Sequence, residues 1–203
     1  MMSRIQFDKL ENLVNLNTSN ENNCRDALIP FAEKLIGNKN LIFSRVEWSN
    51  DRGRVDLILI VEPIETKFDA KYVSNDKIAI VFEMKAPNKS LFKFHNSKRF
   101  IPSNDLSLAE SQLFDYTNRL MLDLNYLTQT FGATEVRPGG IIIGRRSTMF
   151  QISKIEMKKI TDLHKFEILK KMTINSRKRF LYDKASINIY TWDHIIDIIR
   201  PTL

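Results

Sequence analysis

The chain has 203 residues, a hydrophobic fraction of 43%, a charged fraction of 27% and a net charge of +7 at neutral pH. That length suits one domain with a real core and excludes a disordered polyelectrolyte, and the basic balance favours a polyanionic partner, nucleic acid before an anionic membrane. No run approaches the roughly 20 apolar residues of a membrane span, Met1 to Asp8 lacks the apolar segment of a secretory leader, and the lone Cys24 permits no intrachain disulfide. A cytoplasmic protein without a membrane partner is expected. His95, His164 and His194 are scattered, with no zinc-type spacing.

Along the chain, Ile5, Leu10, Leu13 and Val14 stand near helical spacing in an N-terminal helix. Asn17 to Asn20 interrupts it and can cap a second helix with Cys24, Ala27, Leu28, Phe31 and Leu35 on one face, kinked at Pro30 and stopped at Gly37. Leu41 to Trp48 alternates as a strand, Asp51-Arg52-Gly53 turns, and Arg54 to Val61 is a second strand. Glu62 to Asp76 reads as a hairpin excursion, and Lys77 to Lys85 as a third strand. Pro87 to Asn104 is expected to be a long basic, aromatic loop.

One long helix is predicted from Asp105 to Thr130, facing the core with Leu106, Ala109, Leu113, Thr117, Leu120 and Leu124. A short strand, Ile141 to Ile143, follows Gly139-Gly140. Ile152 to Met172 reads as a basic amphipathic helix, Asn175 to Asp183 as a charged connector, Ile187 to Tyr190 as a strand and Trp192 to Ile199 as a last helix. The fold class is α/β: a central mixed sheet flanked by helices in a single domain over 1–203. An N-terminal helix occupies 1–18, a catalytic core 19–146 and an α/β completion 147–203.

The second and third strands are apolar on both alternating faces, so both are expected to be buried. Each carries charge: Asp56 in the one, Glu83 and Lys85 in the other. A lone buried carboxylate takes up a proton unless a cation is near. Glu83 and Lys85, two residues apart, share a face at roughly 7 Å spacing. With Asp56 on the neighbouring strand they form a candidate metal-and-lysine site suited to hydrolysing a phosphodiester. The hard oxygen donors suit Mg²⁺ or Mn²⁺, and Lys85 would stabilise developing negative charge. A buried structural ion cluster that admits no cation is the competing reading.

Asp56 with Glu83-Met84-Lys85 resembles the PD-(D/E)xK nuclease signature, with Val55 where that signature has proline, and the order α-β-β-β-α-β resembles the core of that superfamily. Gln112 and Tyr116, four apart on one helical face, resemble its QxxxY motif. Over more of the chain, from Asn20 to Ile199, the sequence resembles the Shedu anti-phage nuclease domain. The likeness rests on Gly53-Arg54-Val55-Asp56, Glu83 to Pro87, Glu110 to Tyr116, Gly140 to Arg145 and Tyr190-Thr191-Trp192-Asp193. The resemblance implies a metal-dependent DNA endonuclease of low sequence specificity, acting against phage or plasmid DNA. It implies catalytic roles for Asp56, Glu83, Lys85 and Gln112, substrate contact by Tyr116, and metal ligation by Asp56, Glu83, the Met84 carbonyl and an acid on the first core helix. The resemblance favours Glu21 for that acid, whereas helical geometry alone leaves Glu21 and Glu33 open.

DNA contacts are expected from Lys89, Lys93, Lys98, Arg99 and Arg145, which neutralise phosphates without reading sequence. Phe92, Phe94 and Phe100 either stack on bases or pin the loop to the core. The lysines between Lys154 and Lys171 are read as a solvated outer face. A homo-oligomer, a dimer or higher, is the prior. A sequence-specific restriction or repair nuclease and an inactive nuclease-like binding module are the alternatives.

Overall fold

Residues Val55 to Val61 and Ile78 to Met84 are buried without a break, and a pair of strands buried on both faces has to be covered by helices on both sides. The computed structural model describes residues 4–16, 18–37, 39–50, 53–63, 77–96 and 98–200. The turn expected at 51–53 and the excursion at 62–76 therefore lie mostly outside the described residues.

The main sheet has the order β1-β2-β3-β6-β8, formed by β1 (Lys39–Asn50), β2 (Gly53–Pro63), β3 (Lys77–Met84), β6 (Ala133–Ile142) and β8 (Asn188–Tyr190). β1, β2 and β3 pair antiparallel, whereas β6 joins β3 and β8 joins β6 in parallel. Parallel neighbours need long crossovers. Here these contain α3 (Asn104–Leu122) and α4 (Leu124–Phe131), then α5 (Lys154–Met157), α6 (Leu163–Arg177) and α7 (Asp183–Ala185).

Strand alternation divides the core in two. Leu57, Leu59 and Val61 of β2, with Ile78, Ile80, Phe82 and Met84 of β3, pack against α1 (Arg4–Asn15), α2 (Glu21–Leu28) and α8 (Trp192–Ile199). Ile58, Ile60, Ala79 and Val81 pack on the opposite face with Leu106, Ala109 and Leu113 of α3. The fold is thus a mixed α/β sheet with helices on both faces, as the sequence predicts.

Several boundaries differ from the sequence reading. Pro30 has no N–H to donate, so α2 stops at Leu28 and Ile29–Leu35 continues as a 3-10 helix. Ile5 is exposed, and Phe7, Leu10 and Val14 form the buried stripe of α1. The expected loop at 87–104 contains a hairpin, β4 (Phe92–His95) and β5 (Arg99–Pro102), which joins β7 (Phe150–Gln151) in a second sheet. The single helix predicted over 105–130 breaks at Asp123. β6 begins at Ala133, eight residues before the predicted strand. The predicted helix over 152–172 is interrupted between α5 and α6, and the expected connector continues α6 to Arg177 and then forms a π-helical turn, Lys178–Tyr182.

Glycine matters at two close approaches. A Cβ on Gly140 would lie 2.5 Å from the Asn188 carbonyl oxygen, so β8 can only approach β6 over a glycine. Gly144 has φ +63°, and a Cβ there would collide with the Lys89 carbonyl.

Candidate active site

The β2–β3 ladder pairs Leu57 with Phe82, and one further step along it sets Asp56 opposite Glu83. Opposed residues of an antiparallel pair project to the same face, so the two carboxyl groups meet. Asp56 Oδ2 accepts the Met84 N–H at 2.9 Å. Glu83 Oε1 accepts from Lys85 Nζ at 2.5 Å. Glu21, the first residue of α2, reaches the same ammonium, with Oε2 3.9 Å from Nζ. Asn20 caps that helix through its side chain, which accepts the Asn23 N–H at 2.8 Å and fixes where Glu21 sits.

The cluster is dry. Glu83 is 1% exposed and Asp56 8%. Burial, followed by the neighbouring Asp56 charge, pushes the Glu83 carboxyl up to about 8 even though Lys85 pulls the other way. Burial works to discharge Lys85, but Glu83, then Glu21 and Asp56, outweigh it and hold the ammonium above its ordinary value. Three carboxyl groups around one ammonium leave excess negative charge in a low-dielectric setting, and either a proton or a divalent cation relieves it.

The donor set fits a hard cation. Among the described residues Glu83 Oε2 is buried and meets no hydrogen-bond donor, so one oxygen is left over after Lys85 is served. Among the described residues no three Asp, Glu, His or Cys side chains converge tightly enough to enclose an ion by themselves. The carboxyl groups of Asp56 and Glu83 are hard oxygen donors of the type Mg²⁺ takes, one or two at a time beside several waters.

The backbone around Lys85 is fixed from two sides. Its N–H donates to the Ile142 carbonyl at 2.8 Å, and its carbonyl accepts the Trp192 indole N–H at 2.8 Å. Gly144 N–H donates to the Ala86 carbonyl at 3.3 Å, Ile143 N–H to Tyr190 at 3.0 Å and Trp192 N–H to Gly144 at 2.9 Å. The segments Glu83–Pro87, Gly140–Arg145 and Tyr190–Asp193, far apart in sequence, are therefore one hydrogen-bonded unit.

The sequence model of the Shedu protein SduA C-terminal family matches residues 28–196. The chain belongs to that family. It is thus a Shedu-type anti-phage domain. A comparison with curated proteins finds no match.

The other expected site residues of this Shedu domain divide into groups. Gln112 and Tyr116 do share a face of α3, where Gln112 Nε2 donates to Tyr116 Oη at 3.3 Å and the buried Gln112 Oε1 has no donor. α3 lies on the sheet face that carries Ile58 and Val81, hence the face of Asp56 and Glu83, but neither residue hydrogen-bonds to Asp56, Glu83 or Lys85. The Met84 side chain points into the opposite core, while its N–H is the group that holds Asp56. Glu33 is exposed on the 3-10 segment, and it is Glu21 that reaches Lys85.

Lys93, Lys98 and Arg99 are exposed on the β4–β5 hairpin. Lys89 pairs with Asp105 at 3.2 Å, Arg145 donates to the Asn15 carbonyl at the end of α1 at 3.1 Å, and Arg146 bonds Asp193 through its N–H and Asp197 through its guanidinium. Phe92, Phe94 and Phe100 are buried against Phe150 and Phe166, so they pin the hairpin and are not offered to bases. The sequence reading also missed Trp192 as a support for Lys85; its place inside the Tyr190–Asp193 element was the available signal. It missed Glu110 too, whose carboxylate is gripped by Arg177 and Tyr182 across 67 and 72 positions, which no local pattern reveals.

Proposed function

We propose that this Shedu domain is a Mg²⁺- or Mn²⁺-dependent endodeoxyribonuclease of low sequence specificity, built on a PD-(D/E)xK-type site and acting on phage or plasmid DNA. One observation carries the reading: Asp56 and Glu83 converge beside Lys85 in a buried cluster, where Glu83 Oε2 has no hydrogen-bond partner among the described residues. Asp56 and Glu83, with Glu21 and the Met84 carbonyl nearby, are the groups to hold the cation. Bound there, it would supply Lewis-acid polarisation of a phosphate oxygen and a more acidic water.

The protein groups have separable tasks. Asp56, held by the Met84 N–H, keeps its carboxylate aimed into the cluster. Lys85, whose ammonium stands against Glu83, would present it to the charge developing on the phosphate. The Gln112 Oε1, buried and without a donor, has spare capacity to orient water or substrate, and Tyr116 braces its amide. The exposed Lys93, Lys98 and Arg99 supply phosphate contacts. Lys89 and Arg145 already have internal partners, so their contribution is secondary. A dimer would set two such sites toward opposite strands.

The test is plasmid cleavage with Mg²⁺ or with chelator, comparing wild type and Glu83→Ala. Cleavage that requires the ion and is lost in the variant is expected; equal cleavage by both proteins rejects the site. Discrete fragments in place of nicked or smeared products would favour a sequence-specific nuclease. The short Lys85–Glu83 pair favours one other reading, a purely structural ion cluster. Calorimetry with Mn²⁺ separates the two, because a structural cluster binds none.

A further inference from the structure

Apart from the candidate active site, a cavity of ≈ 480 Å³ lies between the β8 edge of the main sheet, the β4 hairpin strand and the end of α6. None of Glu21, Asp56, Glu83, Lys85 or Gln112 lines it. Its volume falls in the roughly 300–1,000 Å³ range of small-molecule sites. The lining is divided by polarity. Leu91, Phe92, Tyr182 and Ile187 are buried and form the apolar interior, whereas Arg146, Lys178 and His194 are exposed and stand at the mouth.

Among the lining residues Asp183 is the lone carboxylate, set against Arg146 and Lys178. Arg146 shares its guanidinium with Asp197, so Lys178 and His194 bear most of the recognition of an anion. Lys178 and Tyr182 come from the π-helical turn, an arrangement that recurs at functional sites because it re-aims side chains. Tyr182 is held rigid by its bond to Glu110. Thr191 and His194 belong to the cap and first turn of α8, the positive end of that helix.

The interior suits a flat, polar-edged group better than an alkyl chain. The rings of Phe92, Tyr182 and Tyr190 offer aromatic surface. Thr191 is 7% exposed, and its Oγ1 accepts the His194 N–H. Its O–H hydrogen remains available for a heterocycle nitrogen or carbonyl, and a hydrocarbon would leave it without an acceptor.

We propose that this cavity binds a nucleoside monophosphate, with the base inside against the aromatic side chains and the phosphate at the mouth beside Lys178 and His194. Residues Tyr190, Thr191 and His194 flank Trp192, the support of Lys85. If the nuclease reading above holds, an occupant is placed to influence the catalytic lysine, but binding itself does not depend on that reading.

Isothermal titration with AMP, adenosine, inorganic phosphate and dodecanoate tests this on the whole chain. AMP is expected to bind one-to-one in the micromolar range, adenosine and phosphate at least tenfold more weakly. Lys178→Glu, at an exposed position whose side chain has no ion pair among the described residues, should weaken AMP at least tenfold with an unchanged circular dichroism spectrum, while Glu83→Ala should leave AMP affinity intact. No AMP binding at millimolar concentration, equal binding by Lys178→Glu, loss in Glu83→Ala, or binding of dodecanoate in place of AMP would each overturn the proposal. Loss of cleavage in Glu83→Ala with AMP binding retained keeps the two claims apart.

Discussion

Trp192 donates its indole N–H to the Lys85 carbonyl oxygen at 2.8 Å, across 107 positions of sequence. Trp192 is fully buried, so the peptide that carries the candidate catalytic lysine is tied to the start of α8 and not merely to its own strand. Trp192→Phe keeps an aromatic ring and removes the donor. A buried carbonyl left unpaired costs about 1–3 kcal/mol, and the smaller ring adds a packing loss. Chemical denaturation should show a stability loss of about 2–4 kcal/mol. Single-turnover cleavage should slow about tenfold or more with Mn²⁺ affinity nearly unchanged, because the lysine and not the carboxylates has lost its support.

The Glu83 carboxyl, pushed up to about 8 from an ordinary 4.5, gives the ion-free protein a pH-dependent stability. In the folded state it holds a proton that the unfolded chain has already released. Its favourable contribution is complete below about pH 4.5 and is lost as pH rises toward 8. Thermal melts in chelator should therefore show wild type losing stability relative to Glu83→Gln between pH 5 and about pH 8. Added Mn²⁺ should stabilise wild type more at pH 8 than at pH 5, and leave Glu83→Gln nearly unmoved. Parallel pH profiles for the two proteins would contradict the buried, proton-holding carboxyl.

Asp56 and Lys85 should separate binding from chemistry. Asp56→Asn keeps the shape but weakens the anionic ligand set, so Mn²⁺ affinity by calorimetry should fall at least tenfold, about 1.4 kcal/mol. Lys85→Ala removes a competing cation from Glu83, so Mn²⁺ binding should persist or tighten while cleavage drops by about a hundredfold or more. Identical calorimetric traces for wild type and Asp56→Asn would place the ion elsewhere.

The exposed hairpin cations offer a salt test. Replacing Lys93, Lys98 and Arg99 together with Ala should reduce the slope of log affinity against log salt by up to about 2.7, near 0.9 per phosphate contact. Fluorescence anisotropy on a short duplex between low and moderate salt measures it. An unaltered slope removes the hairpin from the DNA surface.

Glu110 on α3 is held by Arg177 of α6 and by Tyr182 of the π-helical turn, whose hydroxyl donates to Glu110 Oε1 at 2.5 Å. Burial and the Glu110 charge push the Tyr182 phenol well above its usual range. Arg177→Ala leaves a buried carboxylate facing only a phenol, and urea unfolding should show a loss of about 3 kcal/mol. The double variant with Glu110→Gln should recover part of it, because the orphaned charge is gone.

The candidate site was legible because charge inside an apolar run is costly. Asp56, Glu83 and Lys85 stand out against Val55 to Val61 and Ile78 to Met84 without any structure. The core face of α3, the capped helix after Asn20 and the last strand and helix were likewise set by local period and caps. The hairpin at Phe92 and Arg99 was not legible. Its strands are four residues each, and they hold because Phe150 and Phe166, more than 45 residues onward, stack on them.

The amino-acid order therefore determined which residues are too polar for their surroundings, and through alternation on each strand which face each would take. Only the folded chain decided that Asp56 stands opposite Glu83, that Glu21 and not Glu33 reaches Lys85, and that Trp192 holds the lysine peptide. The physical reason is that periodicity along one strand carries no information about its register against another. A one-residue slip would turn Asp56 to the other face, and that register is fixed by pairing and packing between segments far apart in sequence.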